Sequence, residues 1–276
     1  MEELIKDIAA KKELASLSKE TIKEFLETYF KQEPKIQKKL EDKKYNKKSE
    51  EYKIALKEVR RKLREIYGVF VKDKKRRDKL LLNINKENQK ETIQEILKLH
   101  TSTEERLRHY DEVYEQIFAI TGKVDRIIDL ACGLNPVSYF KLGIKPSYFA
   151  SDMSKEDMNF LEAFFRKTSV NGTAEKIDLV SEVEKVNDLK GDVCFLFKAL
   201  DSLETRKRNI SRQIIESVNC KWIVVSFPKT SLGGGKTISK NKRNWFLNYL
   251  KYTDFGVTEF ETENEFFLVI EKKTKK

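Results

Sequence analysis

Residues 126–140 read RIIDLACGLNPVSYF. A β-branched, apolar run leads into Asp129, small residues follow at Ala131 and Gly133, and the triplet Leu-Asn-Pro closes the segment. Such a run is the end of a first strand in an open α/β sheet, where ligands settle beyond the carboxyl ends of the strands. Small residues at 131 and 133 let a ligand approach the backbone closely. A second run, SYFASD, ends in Asp152, 23 residues after Asp129. A carboxylate at that place can accept hydrogen bonds from the vicinal hydroxyls of a ribose.

Two cofactor classes share this geometry. A dinucleotide asks for G-x-G-x-x-G, so that a helix N-terminus meets the pyrophosphate. Here the turn reads A-C-G-L-N-P, with one glycine and a proline where the helix should start. S-adenosylmethionine carries no phosphate and needs only a small-residue turn, an acid for the ribose and polar groups for the amino-acid end. The residues therefore favour S-adenosylmethionine, against the plain alternative of a strand–turn–helix joint that binds nothing. A second glycine cluster, SLGGGKT (231–237), is not a P-loop, because Thr230 stands where that loop needs its first glycine. It reads instead as a loop at the mouth of the site, with Lys229, Lys236, Lys240, Lys242 and Arg243 as a phosphate-contacting lip, or as an ordinary surface loop.

Working outward, strand-like runs alternate with helical segments from Arg126 onward: SYFASD, EDMNFLEAFFRKT, DVCFLFKAL, RQIIESV, KWIVVSF, NWFLNYL and FFLVIEK. Alternation of this kind predicts a parallel α/β sheet with crossover helices, the last strand joining antiparallel at an edge. The first hundred residues read as helices. LSKETIKEFLETYF places Ile22, Phe25, Leu26 and Phe30 on one stripe, with Pro34 expected to end it, and IALKEVRRKLREIYGVF follows after a polar stretch. The boundary is expected near residue 100, giving a helical domain over 1–100 and the sheet domain over 101–276.

Charge follows the same division. Residues 1–100 hold 28 lysines and arginines against 19 acids, whereas the remainder holds 28 against 26. A basic excess of this kind is either the footprint of polyanion binding or a solvated helical surface. Its densest part, KDKKRRDK (72–79), makes Lys72, Lys74, Lys75, Arg76 and Arg77 candidate RNA contacts, with Lys229 and Lys236 on the glycine lip. No stretch approaches 18 apolar residues, so no membrane partner is expected. The first residues lack the apolar core of a signal peptide, and the three cysteines lack disulfide or metal spacing, which together predict a cytoplasmic protein without a metal site; a monomer is expected. No nucleophile elbow or catalytic dyad stands out, and no catalytic residue is assigned.

Several of these stretches resemble one family. HTSTEERLRHYDEVYEQIF (100–118), IIDLACGLNPVSYF (127–140), Asp178-Leu179, LFKALDSLETRKRN (196–209) and VVSFPKTSLGGGK (224–236) look like the aminoglycoside-resistance methyltransferases that modify a guanine at N7 in the decoding site of 16S rRNA. The helix KEVRRKLREIYGVF (57–70) is similar to their N-terminal helical domain. The resemblance implies a Rossmann-like class I methyltransferase sheet with an N-terminal all-helical domain, S-adenosylmethionine as cofactor, and the small ribosomal subunit as partner, methylated at guanine 1405. It implies that Arg106 pairs with the methionyl carboxylate, that Ala131 and Gly133 flank the methionyl part, and that Asp152 holds the ribose. Asp178 and Leu179 would take the adenine, and Lys198 and Leu200 would line the pocket beyond the fourth strand. The chain departs from the family in a more lysine-rich N-terminal region, a lip that reads GGGKTISKNK and a basic C-terminus, all on surfaces expected to meet RNA. Three readings stay open: a guanine-N7 rRNA methyltransferase, a methyltransferase of the same fold on another RNA base, and a non-catalytic ribosome-binding module with a vestigial pocket.

Overall fold

The apolar runs after Arg126 alternate in the face they bury, which specifies a sheet covered on both sides. The computed structural model of the chain describes residues 1–11, 14, 17, 19–67, 71–230 and 237–272. Seven strands form one sheet: β1 (Arg126–Leu130), β2 (Ser147–Asp152), β3 (Gly172–Lys176), β4 (Lys190–Phe197), β5 (Asn219–Pro228), β6 (Gly256–Glu261) and β7 (Glu265–Glu271). Their order is β3-β2-β1-β4-β5-β7-β6, parallel from β1 to β5, with β7 antiparallel to both neighbours. Ile127, Phe195 and Phe267 bury into one face with Tyr114, Ile117 and Phe164. Their chain neighbours Ile128, Leu196 and Leu268 bury into the other, with Ile210, Ile214 and Phe246. The order reverses between β1 and β4, so the ligand crevice belongs at the carboxyl ends of those two strands.

Two corrections concern the sheet. The final run FFLVIEK is strand β7 but not an edge, because β6 pairs outside it. β6 and β3 went unread because both are largely exposed edge strands, GVTEFE and GTAEK, without a sustained apolar signal.

The chain divides into two compact units, Met1–Val69 and Phe70–Lys276. In the first, α1 (Glu2–Ala9), α2 (Lys19–Gln32), α3 (Pro34–Asp42) and α4 (Glu50–Tyr67) close around Ile5, Ile8, Phe25, Leu26, Tyr52 and Val59. Pro34 separates α2 from α3 as expected but also starts α3, where a missing N–H costs nothing. The Tyr52 hydroxyl donates to Asp7 at 2.7 Å, and Lys47 bridges Glu3 and Asp7, tying the two ends of this unit's sequence together.

The division at 69/70 differs from the boundary expected near residue 100. In the second unit, α5 (Lys74–Leu82) and α6 (Gln89–Lys98) bury Leu81, Ile93, Ile96 and Leu97 in the same cluster as Ile127 and Phe164, so they belong with the sheet. The unit continues through α7 (Thr101–Arg106), α8 (Tyr110–Thr121), α9 (Lys155–Thr168), α10 (Leu200–Arg206), α11 (Ile210–Ser217) and α12 (Asn244–Lys251). No helix among the described residues is long and apolar enough to cross a membrane.

Candidate functional site

The turn after β1 is held open by backbone conformation. Ala131 and Gly133 both adopt left-handed φ angles of 51°, which is strained for the alanine. Gly133 has a second reason to be glycine: a Cβ there would lie 2.9 Å from Nε2 of the buried His100 ring. The turn is stitched to β2 twice. Cys132 N–H donates to the Ser151 carbonyl at 2.9 Å, and Gly133 N–H donates to Oδ2 of Asp152 at 3.0 Å. The other carboxylate oxygen of Asp152 accepts from Ser154 N–H at 3.2 Å. Burial pushes the Asp152 carboxyl up to about 6, against the pull of the Gly133 N–H. A carboxylate thus stands at the rim between two parallel strands, braced by the turn it faces.

Below that rim lies a buried polar network that begins at Asn135 of the Leu-Asn-Pro triplet. Its amide Nδ2 donates to Asp129 Oδ2 at 2.8 Å, and its Oδ1 accepts from Arg106 Nη1 and from the Tyr110 hydroxyl, both at 3.0 Å. Asn135 opens a 3-10 helix, Asn135–Lys141, with Pro136 in its first turn, so the triplet turns the chain while its asparagine ties β1 to α7. Arg106 is 2% exposed and forks onto Glu265 at the start of β7, with Nε at 2.6 Å from Oε2. Phe197 lies against its guanidinium, 4.7 Å from ring centre to Cζ. Lys198, also left-handed at φ 54°, reaches Glu105 at 2.6 Å and Glu265 at 3.4 Å. Burial alone would push the Glu265 carboxyl up, but Arg106 and Lys198 outweigh it and hold it below the usual range.

On the other side of the site, Asp178 follows β3 and receives both terminal nitrogens of Arg206, at 2.7 and 2.6 Å. The carboxyl is held low because the paired guanidinium outweighs its burial. Leu179 and Leu200 sit in the core cluster with Leu203, Ile210 and Ile214. Leu200 exposes no surface at all, which corrects the expectation that it lines an open pocket. As the first residue of α10 it packs the wall behind the strand end.

The family model for ribosomal RNA methyltransferases of the FmrO type matches residues 28–246 of this chain. The chain belongs to that family. A 16S rRNA (guanine(1405)-N(7))-methyltransferase of Micromonospora echinospora is 31% identical over 229 residues, covering 79% of this chain and 82% of the relative. The enzyme of the same name from Proteus mirabilis is 30% identical over 238 residues, covering 78% and 83%. The structure of the 16S rRNA methyltransferase RmtF in complex with S-adenosyl-L-homocysteine matches with a TM-score of 0.79 at 24% identity, over 99% of this chain and 98% of that one. The Rossmann-like methyltransferase fold read from the motifs is thereby borne out.

In this FmrO-family chain, the candidate residues Arg106, Ala131, Gly133, Asp152 and Lys198 gather around the carboxyl ends of β1, β2 and β4. The sequence reading assigned no site role to Glu105, Tyr110, Asp129, Asn135 or Glu265, which belong to the same network. Asn135 carried a signal, since an asparagine before proline at a strand end invites side-chain bonding to the turn. Glu265 carried none, being a single acid at the head of an edgeward strand.

The basic run needs one larger correction. Arg77 is 1% exposed, paired with Asp157 and Asp78 and laid over the Phe160 ring at 4.4 Å, so it anchors α5 to α9 and is no phosphate contact. Lys74 and Arg76 hold surface pairs with Glu156 and Glu95, and Lys72 one with Glu104, while Lys75 forms no ion pair among the described residues. Lys229 donates to the Thr262 carbonyl at 2.9 Å and faces Glu261. Lys236 and the rest of 231–236 lie outside the described residues.

Asp129 is fully buried, with Oδ2 accepting from Asn135 and from the Tyr148 hydroxyl at 2.7 Å, and with Oδ1 partnerless among the described residues. Burial pushes its carboxyl up to about 7, from an ordinary value of 3.8. A raised native pKa makes the folded state the tighter proton binder, so this stability is complete below the unfolded range and is lost as pH rises towards 7. Asp129→Asn keeps an acceptor for both bonds and never ionises. Its melting temperature relative to the unmodified protein is expected to be several degrees higher at pH 8 than at pH 5. Equal offsets at the two pH values in thermal denaturation would show that Asp129 does not change charge between them.

Proposed function

We propose that the chain is an S-adenosylmethionine-dependent 16S rRNA methyltransferase acting on N7 of guanine 1405 in the small ribosomal subunit, in the cytoplasm. Membership of a ribosomal RNA methyltransferase family supports the class, and the names of relatives about 30% identical over more than three quarters of the chain support the base. The single observation that carries the cofactor reading is Asp152 at the tip of β2, bonded to the N–H of a glycine that tolerates no side chain. In this reading the Asp152 carboxylate takes the ribose hydroxyls, and the turn Ala131–Gly133 flanks the amino-acid end. Arg106 faces the methionyl carboxylate with the N–H groups that Glu265 and Asn135 leave over. Asp178, fixed by Arg206, and Leu179 meet the adenine.

The cofactor supplies an electrophilic methyl on a sulfonium sulfur. Guanine N7 has an in-plane lone pair and no proton, so methyl transfer to it would require no general base from the protein. The protein's task is positioning the nitrogen in line with the methyl, with a rigid, ion-paired floor of Glu105, Lys198, Glu265 and Arg106. The basic helices of the first unit, together with Lys72, Lys74, Lys75 and Arg76, serve as phosphate contacts on the folded rRNA, as do Lys229 and Lys236. Borohydride–aniline cleavage of 16S rRNA from treated 30S subunits, which reports N7-methylguanine, is expected to give one new stop at guanine 1405. Methyl incorporation without that stop would reassign the base, and no incorporation would sink the enzyme reading.

A further inference from the structure

Apart from the cofactor crevice, the sheet unit has a second concave feature, a groove of about 560 Å³ between the α10–α11 junction and α12. Three aromatic residues line it, Trp245, Tyr249 and Tyr252, together with Arg208, Arg212 and Asn248. Tyr252 is 92% exposed and Trp245 37% exposed. A tyrosine ring left almost wholly in water contributes nothing to the core, and in a groove it is a free stacking face. Arg212 lies 5.5 Å over the Tyr249 ring, so one wall is already a cation–aromatic stack.

Two arginines, Arg208 and Arg212, line the groove against one acid, Glu204. Glu204 is consumed by the N–H groups of Asn209 at 2.8 Å and Ser211 at 2.9 Å, and Glu216 by Arg212 at 2.8 Å. Arg208 has no hydrogen bond or ion pair among the described residues, and its chain neighbour Lys207 and Lys251, the neighbour of Tyr252, are exposed. Flat ring faces, an uncommitted guanidinium and a side-chain amide are what an unpaired nucleotide needs: a stacking platform, a phosphate contact and a partner for a base edge. One end of the groove shares α10 with the candidate site: the helix begins at Leu200, two residues after Lys198, and its Glu204 lines the groove.

We propose that this groove holds an unpaired rRNA nucleotide near the target, its base stacked on Tyr252 and Tyr249 and its phosphate on Arg208. The inference rests on rRNA being the substrate. Tyr252→Ala is expected to weaken binding of the full chain to 30S subunits roughly tenfold, and Arg208→Glu to weaken it further at low salt. Tyr252→Trp keeps the stacking face and is expected to bind like the unmodified protein. None of the three changes S-adenosylmethionine affinity in calorimetry, which reports an intact fold and cofactor site. With Tyr252→p-benzoylphenylalanine, irradiation on 30S subunits is expected to give a nuclease-sensitive adduct. Unchanged 30S affinity in both weakening variants, an adduct to a ribosomal protein, or no adduct overturns the proposal. If the unmodified protein binds subunits but transfers no methyl, the methyltransferase reading falls while the groove is still decided by these binding and adduct results.

Discussion

Asp152→Ala is expected to lower affinity for S-adenosylmethionine by at least roughly a hundredfold in calorimetry, with the sheet still folded. Hydrogen bonds to a charged acceptor contribute about 1.5–3 kcal/mol each, and two ribose hydroxyls on one carboxylate correspond to roughly 10² to 10⁴ in the binding constant. The substitution also removes the acceptor of the Gly133 N–H, so the turn loses its brace as well as the ligand its partner. Asp152→Asn separates the two effects, because its amide oxygen can still accept from Gly133. The pH dependence adds a check with a definite sign. Burial pushes the Asp152 carboxyl up to about 6, and only the carboxylate can accept from both hydroxyls. Affinity should be flat above pH 7 and fall about tenfold per unit well below pH 6, while Asp152→Asn should show no such slope. Affinity of Asp152→Ala within threefold of the unmodified protein would remove Asp152 from the cofactor site.

The central strands were legible because they are buried on both faces. RIIDL, SYFASD, VCFLF and WIVVSF are apolar runs of strand length, and each became β1, β2, β4 or β5. The edges were not legible, since β3 and β6 face water and carry polar residues that a loop would also carry. The same reasoning explains the misplaced boundary. α5 and α6 look like the helices before them in sequence, and only their buried Leu81, Ile93 and Ile96 show which core they join. Arg77 illustrates how a charge run misleads. Five of its six cations are surface groups and one is a buried anchor, and nothing in KDKKRRDK distinguishes it from Arg76. The site divides likewise. Residues that shape the turn were readable from small side chains and spaced acids, whereas the ion-paired floor depends on partners 159 residues apart, Arg106 and Glu265.

That floor gives the second large effect. Arg106→Ala is expected to destabilise the sheet unit by about 3–5 kcal/mol, because it takes the bidentate partner from the buried Glu265 carboxylate and leaves only Lys198 at 3.4 Å. The resemblance alone assigns Arg106 to the methionyl carboxylate, and a residue with only that duty would lose affinity without losing stability. The geometry adds a structural duty to that expectation, since Glu265 takes two of its nitrogens and Asn135 a third. Glu265→Ala should be at least as damaging. It leaves Arg106 without its carboxylate and Lys198 with Glu105 alone, two cations deprived by one change. Removing both partners leaves no unpaired charge between them, so Arg106→Ala/Glu265→Ala should cost less than the sum of the single changes by about 1–3 kcal/mol. Urea unfolding followed by the fluorescence of Trp222 on β5, in a Trp245→Phe background, measures the cycle. If Arg106→Ala unfolds within about 1 kcal/mol of its parent and loses only cofactor affinity, the pair with Glu265 has no structural weight. The arginine then belongs to the ligand alone.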